Sequence, residues 1–551
     1  MKFKKTFLLL VFFMFQLTSF SQLTPPTIKW LCKLGNSNAD LSGRYAIDSE
    51  GSLYFAGKFF DTLNVSCSID SVSVIDNLYG TSYIIKYDST GLFKWINVLG
   101  KVSVSSIYVD NNDNLFIAIT GGGAYLNTYS GQVFFTDTYM KSIFLKMNKD
   151  GYCLWARGLI GTSNSDDECQ IASIITDSMN NVIISGLFFG KIDFDVAYPG
   201  TFYLESALPY STDMFIAKFD SVGLFTWVNG ITDSMDVRPI FMTKDKNDDL
   251  YIVGRFTGSP DFDISSNIYT LSNNPWGSGT FLIKYDNNAN LKWAKHLNNR
   301  GNAEFNHLVV DNNNDIIVNG YFTDTICPNF NDLTFYLTPN GNSNIFNVKY
   351  SSDGAYIWSN KYVGSGFVST SSISVDSDNN IYTSIISTQS KILKCSSSSI
   401  LLDSISLYGI YNSFYTIPLK ANDLIIGGNF IDTLEIQIDT ISYEVVSNGF
   451  SDIFFSRFSL FIDGIFETDK SNEIFIIYPN PTMGLLNIEL LDNLFFPNTI
   501  EIVDITGKTV YINNDFFNEY ISLDISYLKK GVYSIRIINS NSVVTKKIVK
   551  L

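Results

Sequence analysis

The hairpin KFDSVGLFTW at residues 218–227 is written five times in this chain, and each copy closes on a tryptophan. The others are KYDSTGLFKW (86–95), KMNKDGYCLW (146–155), KYDNNANLKW (284–293) and KYSSDGAYIW (349–358). With Trp30 ahead of them, Trp30, Trp95, Trp155, Trp227, Trp293 and Trp358 stand 65, 60, 72, 66 and 65 residues apart. A second signature keeps the same beat. It reads DSEGSLYFAGKF (48–59), DNNDNLFIAIT (110–120), DSMNNVIISGLF (177–188), DKNDDLYIVGRF (245–256), DNNNDIIVNGYF (311–322) and DSDNNIYTSIIS (376–387). A weaker seventh copy is LKANDLIIGGNF (419–430). Two signatures in register define a repeat array, and nothing else in the chain restricts its fold as much.

Each unit reads as two hairpins. In the first, strands such as 106–109 and 115–120 flank a turn of Asp and Asn, side chains that hydrogen-bond the local backbone and tolerate left-handed φ. In the second, Asp220 and Gly223 suit positions i and i+3 of a type I turn. The strand before it alternates, with Phe215, Ala217 and Phe219 on one face and Ile216 and Lys218 on the other. Four antiparallel strands cannot cover both of their own faces. Packing such sheets around an axis covers them, so the expected fold is an all-β β-propeller. The repeated tryptophan then fills the space between blades. Stacking on a sugar is the sharper alternative, but it suits poorly a residue that recurs at one place inside a strand.

Seven copies of the first hairpin predict seven blades within residues 22–466, with six plus an irregular segment as the alternative count. The sixth unit lacks the long loop ahead of SKILKCSSSSILLDS (390–404) and has Asp403 at the tryptophan position. The seventh keeps the hairpin RFSLFIDGIF (457–466) with Phe466 in that position. The segment TIKW (27–30) precedes the first full unit and is expected to complete the last blade, closing the ring. Blade three, NNVIISGLFFGKIDFDVAYPGTFYLESALPYSTDMFIAKFDSVGLFTW, resembles the SBBP-type β-propeller repeat of secreted bacterial proteins, and blade four echoes it. That resemblance implies the fold and no single activity.

The first residues, MKFKKTFLLLVFFMFQLTSFSQ, read as a secretory signal peptide over 1–21. Lys2, Lys4 and Lys5 form the charged region, 7–15 the apolar region, and Ser19-Phe20-Ser21 the small-x-small cleavage pattern before Gln22. The apolar run is shorter than the about 20 residues a membrane helix needs. No later segment is long and apolar enough to span a bilayer, so an exported chain without a transmembrane segment is expected. The formal net charge of −16 becomes −19 once those three lysines are removed, with no basic stripe to follow a phosphate backbone. Nucleic acid is therefore not an expected partner.

Beyond a polar linker at 467–474 the repeat stops, and 475–551 reads as a small Ig-like β-sandwich. Its motifs resemble the type A C-terminal sorting domain of the type IX secretion system of Bacteroidota. The matching residues are Tyr478, Pro479, Asn480, Pro481 and Gly484, then Asp504, Gly507 and Lys508, then Leu528, Gly531 and Tyr533, and finally Lys546 and Lys547. The resemblance implies passage through that secretion machinery, cleavage near the linker, and release or attachment at the cell surface.

Chemistry is sparse. Cys32, Cys67, Cys153, Cys169, Cys327 and Cys395 form no CxxC pair, and their pairing is open; Cys153 and Cys395 fall within repeated strands, where free thiols are expected. The two histidines, His296 and His307, have no recognisable nucleophile beside them in sequence. No catalytic residue, cofactor-binding residue or metal ligand is assigned. The Asp-rich turns at 110–114, 311–315 and 376–380 resemble half a calcium loop, without the central Gly and distal Glu of the full pattern. Calcium there is the alternative to ordinary turn chemistry. Trp276, off the beat in SNNPWGSGT, is a candidate contact for a sugar or protein, against packing over its own loop. The expected function is an exported, non-enzymatic binding or adhesion protein acting on glycan or another envelope protein. The alternative is a secreted propeller lyase or hydrolase of polysaccharide.

Overall fold

The computed structural model describes residues 27–459 and 475–550, apart from stretches at 36–39, 66–72, 76–79, 138, 163–166, 196–199, 209–210, 233–235, 273–278, 300–301, 331–335, 342, 364–367, 420–422, 439–440, 479–481, 483, 491–498, 505–507, 514–519 and 539–542. The signal peptide, the linker, Cys67, Trp276 and Phe466 therefore lie outside the described residues. Every regular helix or strand among the described residues is a β-strand.

The chain forms a β-propeller followed by a β-sandwich. Blade one is the antiparallel sheet Leu41–Ile47, Leu53–Phe59, Thr81–Tyr87 and Phe93–Gly100, in that order. Blades two to five repeat the plan over 103–161, 168–231, 237–296 and 303–362. The first strands of successive blades lie against one another and so surround the axis. Blade six comprises Ser369–Val375, Ile381–Ile386, Ser390–Cys395 and the first half of the long strand Leu401–Pro418. The second half of that strand opens blade seven, which continues with Asp423–Ile438 and Asp452–Ser459.

The fourth strand of blade seven is Thr27–Leu34, from the other end of the chain, paired from Thr27↔Ser459 to Leu34↔Ile453. The expected closure of the ring is thus present. It also corrects the reading of Phe466: the place of the seventh tryptophan is taken by Trp30. The registers agree, because Lys86 faces Trp95, Lys146 faces Trp155, Lys218 faces Trp227, Lys284 faces Trp293, Lys349 faces Trp358, and Arg457 faces Trp30.

The tryptophans sit between blades for a visible reason. The indoles of Trp30, Trp95, Trp155, Trp293 and Trp358 reach the turn of the next blade's second hairpin. A β-carbon added to Gly91, Gly151, Gly223 or Gly354 would come within 2.8, 2.9, 3.0 or 3.2 Å of Trp30, Trp95, Trp155 or Trp293 respectively. The indole N–H groups of Trp30, Trp95, Trp293 and Trp358 donate to carbonyls in those turns, at Ser89 (3.2 Å), Lys149 (3.0 Å), Ser352 (3.3 Å) and Ser397 (3.1 Å). Trp155 makes no such bond. Arg157 beside it reaches the carbonyls of Gly223 and Val222 instead, both at 2.9 Å. Blade six, with Asp403 facing Lys394, has no tryptophan wedge. Backbone pairing replaces it, for Asp423–Ile438 extends outward to pair Ser406↔Gln437, Leu407↔Ile436 and Tyr408↔Glu435.

The sandwich packs the sheet Phe475–Tyr478, Leu485–Leu490 and Tyr520–Asp524 on a second sheet of Thr509–Asn513, Thr499–Asp504, Gly531–Ile538 and Val543–Lys550. Phe475, Leu486, Ile488, Ile500, Ile502, Ile535, Ile537 and Ile548 fill the space between. Alternation in each strand sends these residues inward.

Gly91 and Gly131 both sit at positive φ, at 83° and 117°, but a β-carbon at Gly131 meets nothing within 4 Å. Replacing either with alanine costs about 1 kcal/mol for the left-handed backbone. Only Gly91→Ala also displaces Trp30. Gly91→Ala is expected to lower the thermal midpoint at least about twice as far as Gly131→Ala, and equal shifts in calorimetry would remove the indole wedge as a stabilising contact.

Candidate functional site

In six of the seven blades a cation of the protein itself lies at the first-hairpin turn; at 376–380 Asp376 instead accepts from the Asn380 side-chain amide and the Tyr382 hydroxyl, at 2.9 and 3.1 Å. In blade one, Oδ1 of Asp48 accepts the amides of Glu50 (3.1 Å) and Ser52 (2.8 Å), while Oδ2 stands 3.1 Å from Lys86 Nζ. Asp177 holds Lys218 at 2.9 Å, Asp245 and Asp249 hold Lys284 at 3.5 and 2.9 Å, and Asp311 and Asp315 hold Lys349 at 2.7 and 3.0 Å. Lys146 lies 3.9 Å from Asp110. In blade seven, Asp423 binds Arg457 at 2.6 Å and Lys29 at 2.7 Å. These carboxylates face amide and ammonium donors, a set that does not fit calcium, which needs oxygen acceptors from several sides. No group of three or more His, Cys, Asp or Glu side chains among the described residues could hold a metal ion.

The turns also bind one another around the ring. Ser49 of blade one donates its amide and hydroxyl to Asp113 of blade two, both at 2.8 Å. Ser178 bonds Asp248 and Asn312 bonds Asn379 in the same way. The repeated acids and tryptophans are therefore committed to the scaffold.

The histidines are far apart in the fold. His296 ends the fourth strand of blade four, with Nδ1 3.2 Å from the Leu297 carbonyl. His307 lies on the axial strand of blade five, its ring 5.2 Å from that of Phe241. Neither ring hydrogen-bonds a serine, cysteine or carboxylate among the described residues. Cys153 and Cys395 are free thiols, burial pushes the Cys153 thiol up to about 11, and Cys32 is disulfide-bonded.

Of the sorting-domain residues, Pro479, Asn480, Pro481 and Gly507 fall outside the described residues, and Tyr478 ends the first strand of the sandwich. Gly484 lies against Ser526, where a β-carbon would approach within 2.9 Å. The Lys508 amide bonds the Asp504 carboxylate at 3.1 Å. Tyr533 donates its hydroxyl to the Lys529 carbonyl at 2.8 Å. Gly531 opens the strand that pairs with Val543–Lys550, where Lys546 lies 5.4 Å from the Phe475 ring centroid and Lys547 is exposed.

Blade two carries a feature that sequence reading missed. Between its second and third strands a separate hairpin, Gly123–Thr128 with Gly131–Thr136, leaves the sheet. Ala124 and Leu126 anchor it in the core between blades one and two. The opposite face presents Tyr125 against Phe134, with ring centroids 4.7 Å apart, and Asn127 opposite Gln132. At the tip, Tyr129 is 73% exposed and stacks on Tyr152, at 4.6 Å and 21°, with its hydroxyl accepting from Asn148 at 2.7 Å. Phe134 is 52% exposed. The signal was legible as two alternating runs, GAYLNT and GQVFFT, about Tyr129-Ser130.

Comparison with known proteins bears on both domains. Residues 476–551 match the secretion system C-terminal sorting domain family. An uncharacterized WD repeat-containing protein, L264, of Acanthamoeba polyphaga mimivirus is 23% identical over 418 residues, covering 64% of this chain and 30% of that protein. The chain thus spans less than a third of that relative's length. Among solved structures, the Dos1 propeller is similar with a TM-score of 0.41 and 12% identity, covering 79% of this chain and 94% of that one. A protein of unknown function from Bacteroides caccae has a TM-score of 0.28 and 8% identity, covering 62% and 94% respectively.

The buried pairs make a pH prediction. Burial alone would raise the Asp177 carboxyl, but hydrogen bonds from Lys218 and Asn181 outweigh it and hold it below the usual carboxylate range. Burial alone would lower Lys349, yet its bonds to Asp311 and Asp315 raise it. The Asp177 contribution is present above the ordinary carboxylate pKa and lost as pH falls through its depressed value; the Lys349 contribution is present below the ordinary lysine pKa and lost as pH rises through its raised one. Lys349→Met is expected to cost about 3–5 kcal/mol at neutral pH, because it strands a buried carboxylate. In denaturant titrations the gap to the parent protein should shrink above about pH 10.5. A gap constant to pH 12 would show that Lys349 acts through packing alone.

Proposed function

We propose that this chain is an exported, non-enzymatic β-propeller that binds glycan at a surface and is delivered by the type IX secretion system. The sorting-domain match over residues 476–551 supports the delivery route. The blade-two hairpin supports the binding. Exposed aromatic faces stack on the apolar faces of sugar rings, and the exposed Gln132 amide beside them suits sugar hydroxyls, while Asn127 is bonded to Asn97. An outward Phe134 and a stacked Tyr129–Tyr152 pair add little to the core, which Ala124 and Leu126 already serve.

A glycan array with the mature protein tests the reading. The double variant Tyr129→Ala/Phe134→Ala is expected to lose about tenfold or more in affinity for its best glycan, two ring contacts at about 0.5–1.5 kcal/mol each. Unchanged binding would move the site elsewhere, and absence of any glycan signal alongside capture of an envelope protein would replace the ligand class. Separately, a chain lacking 475–551 is expected to accumulate inside the outer membrane; its appearance outside, seen by fractionation, would overturn the delivery route.

A further inference from the structure

The channel along the propeller axis departs from its own repeat at one level. Each of the first six blades has a bulge in its axial strand, and the residue just after it is Arg44, Ser106, Ser173, Phe241, His307 or Ser372. The three serines do the same thing. Ser106 accepts the Ile174 amide at 3.3 Å, Ser173 the Met242 amide at 3.1 Å, and Ser372 the Thr416 amide at 3.3 Å, each stitching its blade to the next. Arg44, Phe241 and His307 replace a stitching serine. In a ring of seven, blade one looks across the axis at blades four and five, so these departures face one another.

Their chemistry is complementary to an anion. Arg44 is exposed although it lies on an axial strand, so the lumen is open to water there. Its Nε donates to the Ser105 carbonyl at 2.7 Å, which fixes the guanidinium between blades one and two. The terminal nitrogens have no acceptor among the described residues. The other charged residues of the axial strands are engaged: Arg238 with Asp236, Lys244 with Asp248, Glu304 with Arg255, and Glu168 with Gln170. His307 has its Nδ1 sealed from solvent without a partner. With Nδ1 sealed and without a partner, we assign the hydrogen of the neutral ring to Nε2, which leaves the buried nitrogen as the acceptor. Burial, and secondarily the charge of Arg44, push His307 down to about 3, which keeps the ring neutral.

We propose that the axial channel holds a site for a small oxyanion, a carboxylate or a phosphate, bound between the Arg44 guanidinium and the His307 Nε2–H beside the Phe241 ring. A guanidinium fork matches either anion with two parallel hydrogen bonds. An acidic protein, with a formal net charge of −16, repels anions at long range. An uncompensated cation in its lumen is then a local exception that selects for one. The site is separate from the blade-two hairpin and does not rest on the glycan reading.

Calorimetric titration of the mature chain with glucuronate, inorganic phosphate and, as a neutral control, glucose tests it. At least one anion is expected to bind and glucose not to; which anion binds separates the carboxylate source from the phosphate source. Arg44→Met is expected to weaken binding at least about tenfold, and Arg44→Lys, which keeps charge without the fork, to fall between. His307→Gln disturbs no interblade bond and gives an independent reading, with weaker binding expected. Failure of both anions to bind, equal binding of glucose, or full affinity in folded Arg44→Met or His307→Gln protein overturns the proposal.

Discussion

A lysine ammonium buried against a turn carboxylate is the interaction around which the first five blades are assembled, with Arg457 in the lysine's place in blade seven. It ties three elements at once. The aspartate belongs to the turn of the first hairpin, the lysine to the third strand, and the lysine or its tryptophan neighbour reaches a carbonyl in the next blade. Lys86 contacts the Lys149 carbonyl at 3.2 Å, Lys284 the Ser352 carbonyl at 3.1 Å, and Arg457 the Ser89 carbonyl at 2.6 Å. Desolvating two charges is costly, and a hydrophobic pair of equal volume could stabilise as much. Direction is what such a pair lacks. A one-residue slip of the third strand would turn the lysine to the opposite face and leave the carboxylate alone, so the ion pair penalises every wrong register. Blade seven shows that the pairing, not the position, is kept: Leu419 stands where the acid should be, and Asp423, four residues on, supplies it.

Closing the ring extends the same logic to the two ends of the propeller. Strand Thr27–Leu34 brings Lys29 to Asp423 and Trp30 to the Ser89 turn, while Arg457 touches both Asp423 and Ser89. Blade seven is thus joined to blade one by the same indole, cation and carbonyl that join the others. The contact has a large sequence separation, and its loop entropy is met only when most of the chain is in place. Until then the first strand and the outer edge of Asp452–Ser459 are unpaired.

Much of this was legible because repetition converts weak local signals into strong ones. Strand positions, the type I turns, the wedge role of the tryptophans and the donated first strand all follow from comparing copies. The lysine partner was readable too, since it opens all five copies, KYD, KMN, KFD, KYD and KYS, but one copy alone would suggest a solvated face. What repetition hides is how departures combine in space. Nothing in the numbering of Arg44, Phe241 and His307 says that a ring of seven sets the first opposite the other two. Phe466 was misplaced because sequence order suggests that a hairpin closes on itself, whereas the backbone closes on Thr27–Leu34. Trp276, the one tryptophan outside the beat, lies outside the described residues.

A propeller needs its repeated residues, so a departure from the repeat has to be explained by what it does for the scaffold or by something else. Two departures do have a structural return: Asp403 in place of tryptophan is met by continuous pairing between blades six and seven, and Arg157 bonds two carbonyls of the turn to which Trp155 donates no hydrogen bond. The outward rings of Tyr125, Tyr129 and Phe134 have little, for the hairpin is already anchored from its other face. Arg44 recovers one interblade bond but leaves most of a charged fork exposed in the lumen, and His307 gives up a serine's bond for a nitrogen with no partner. Exposed aromatic area and unmatched donors are each unfavourable to a protein that only has to stay folded. Their concentration at one rim and one level of the axis, on a scaffold otherwise satisfied, is the physical ground for placing ligands there.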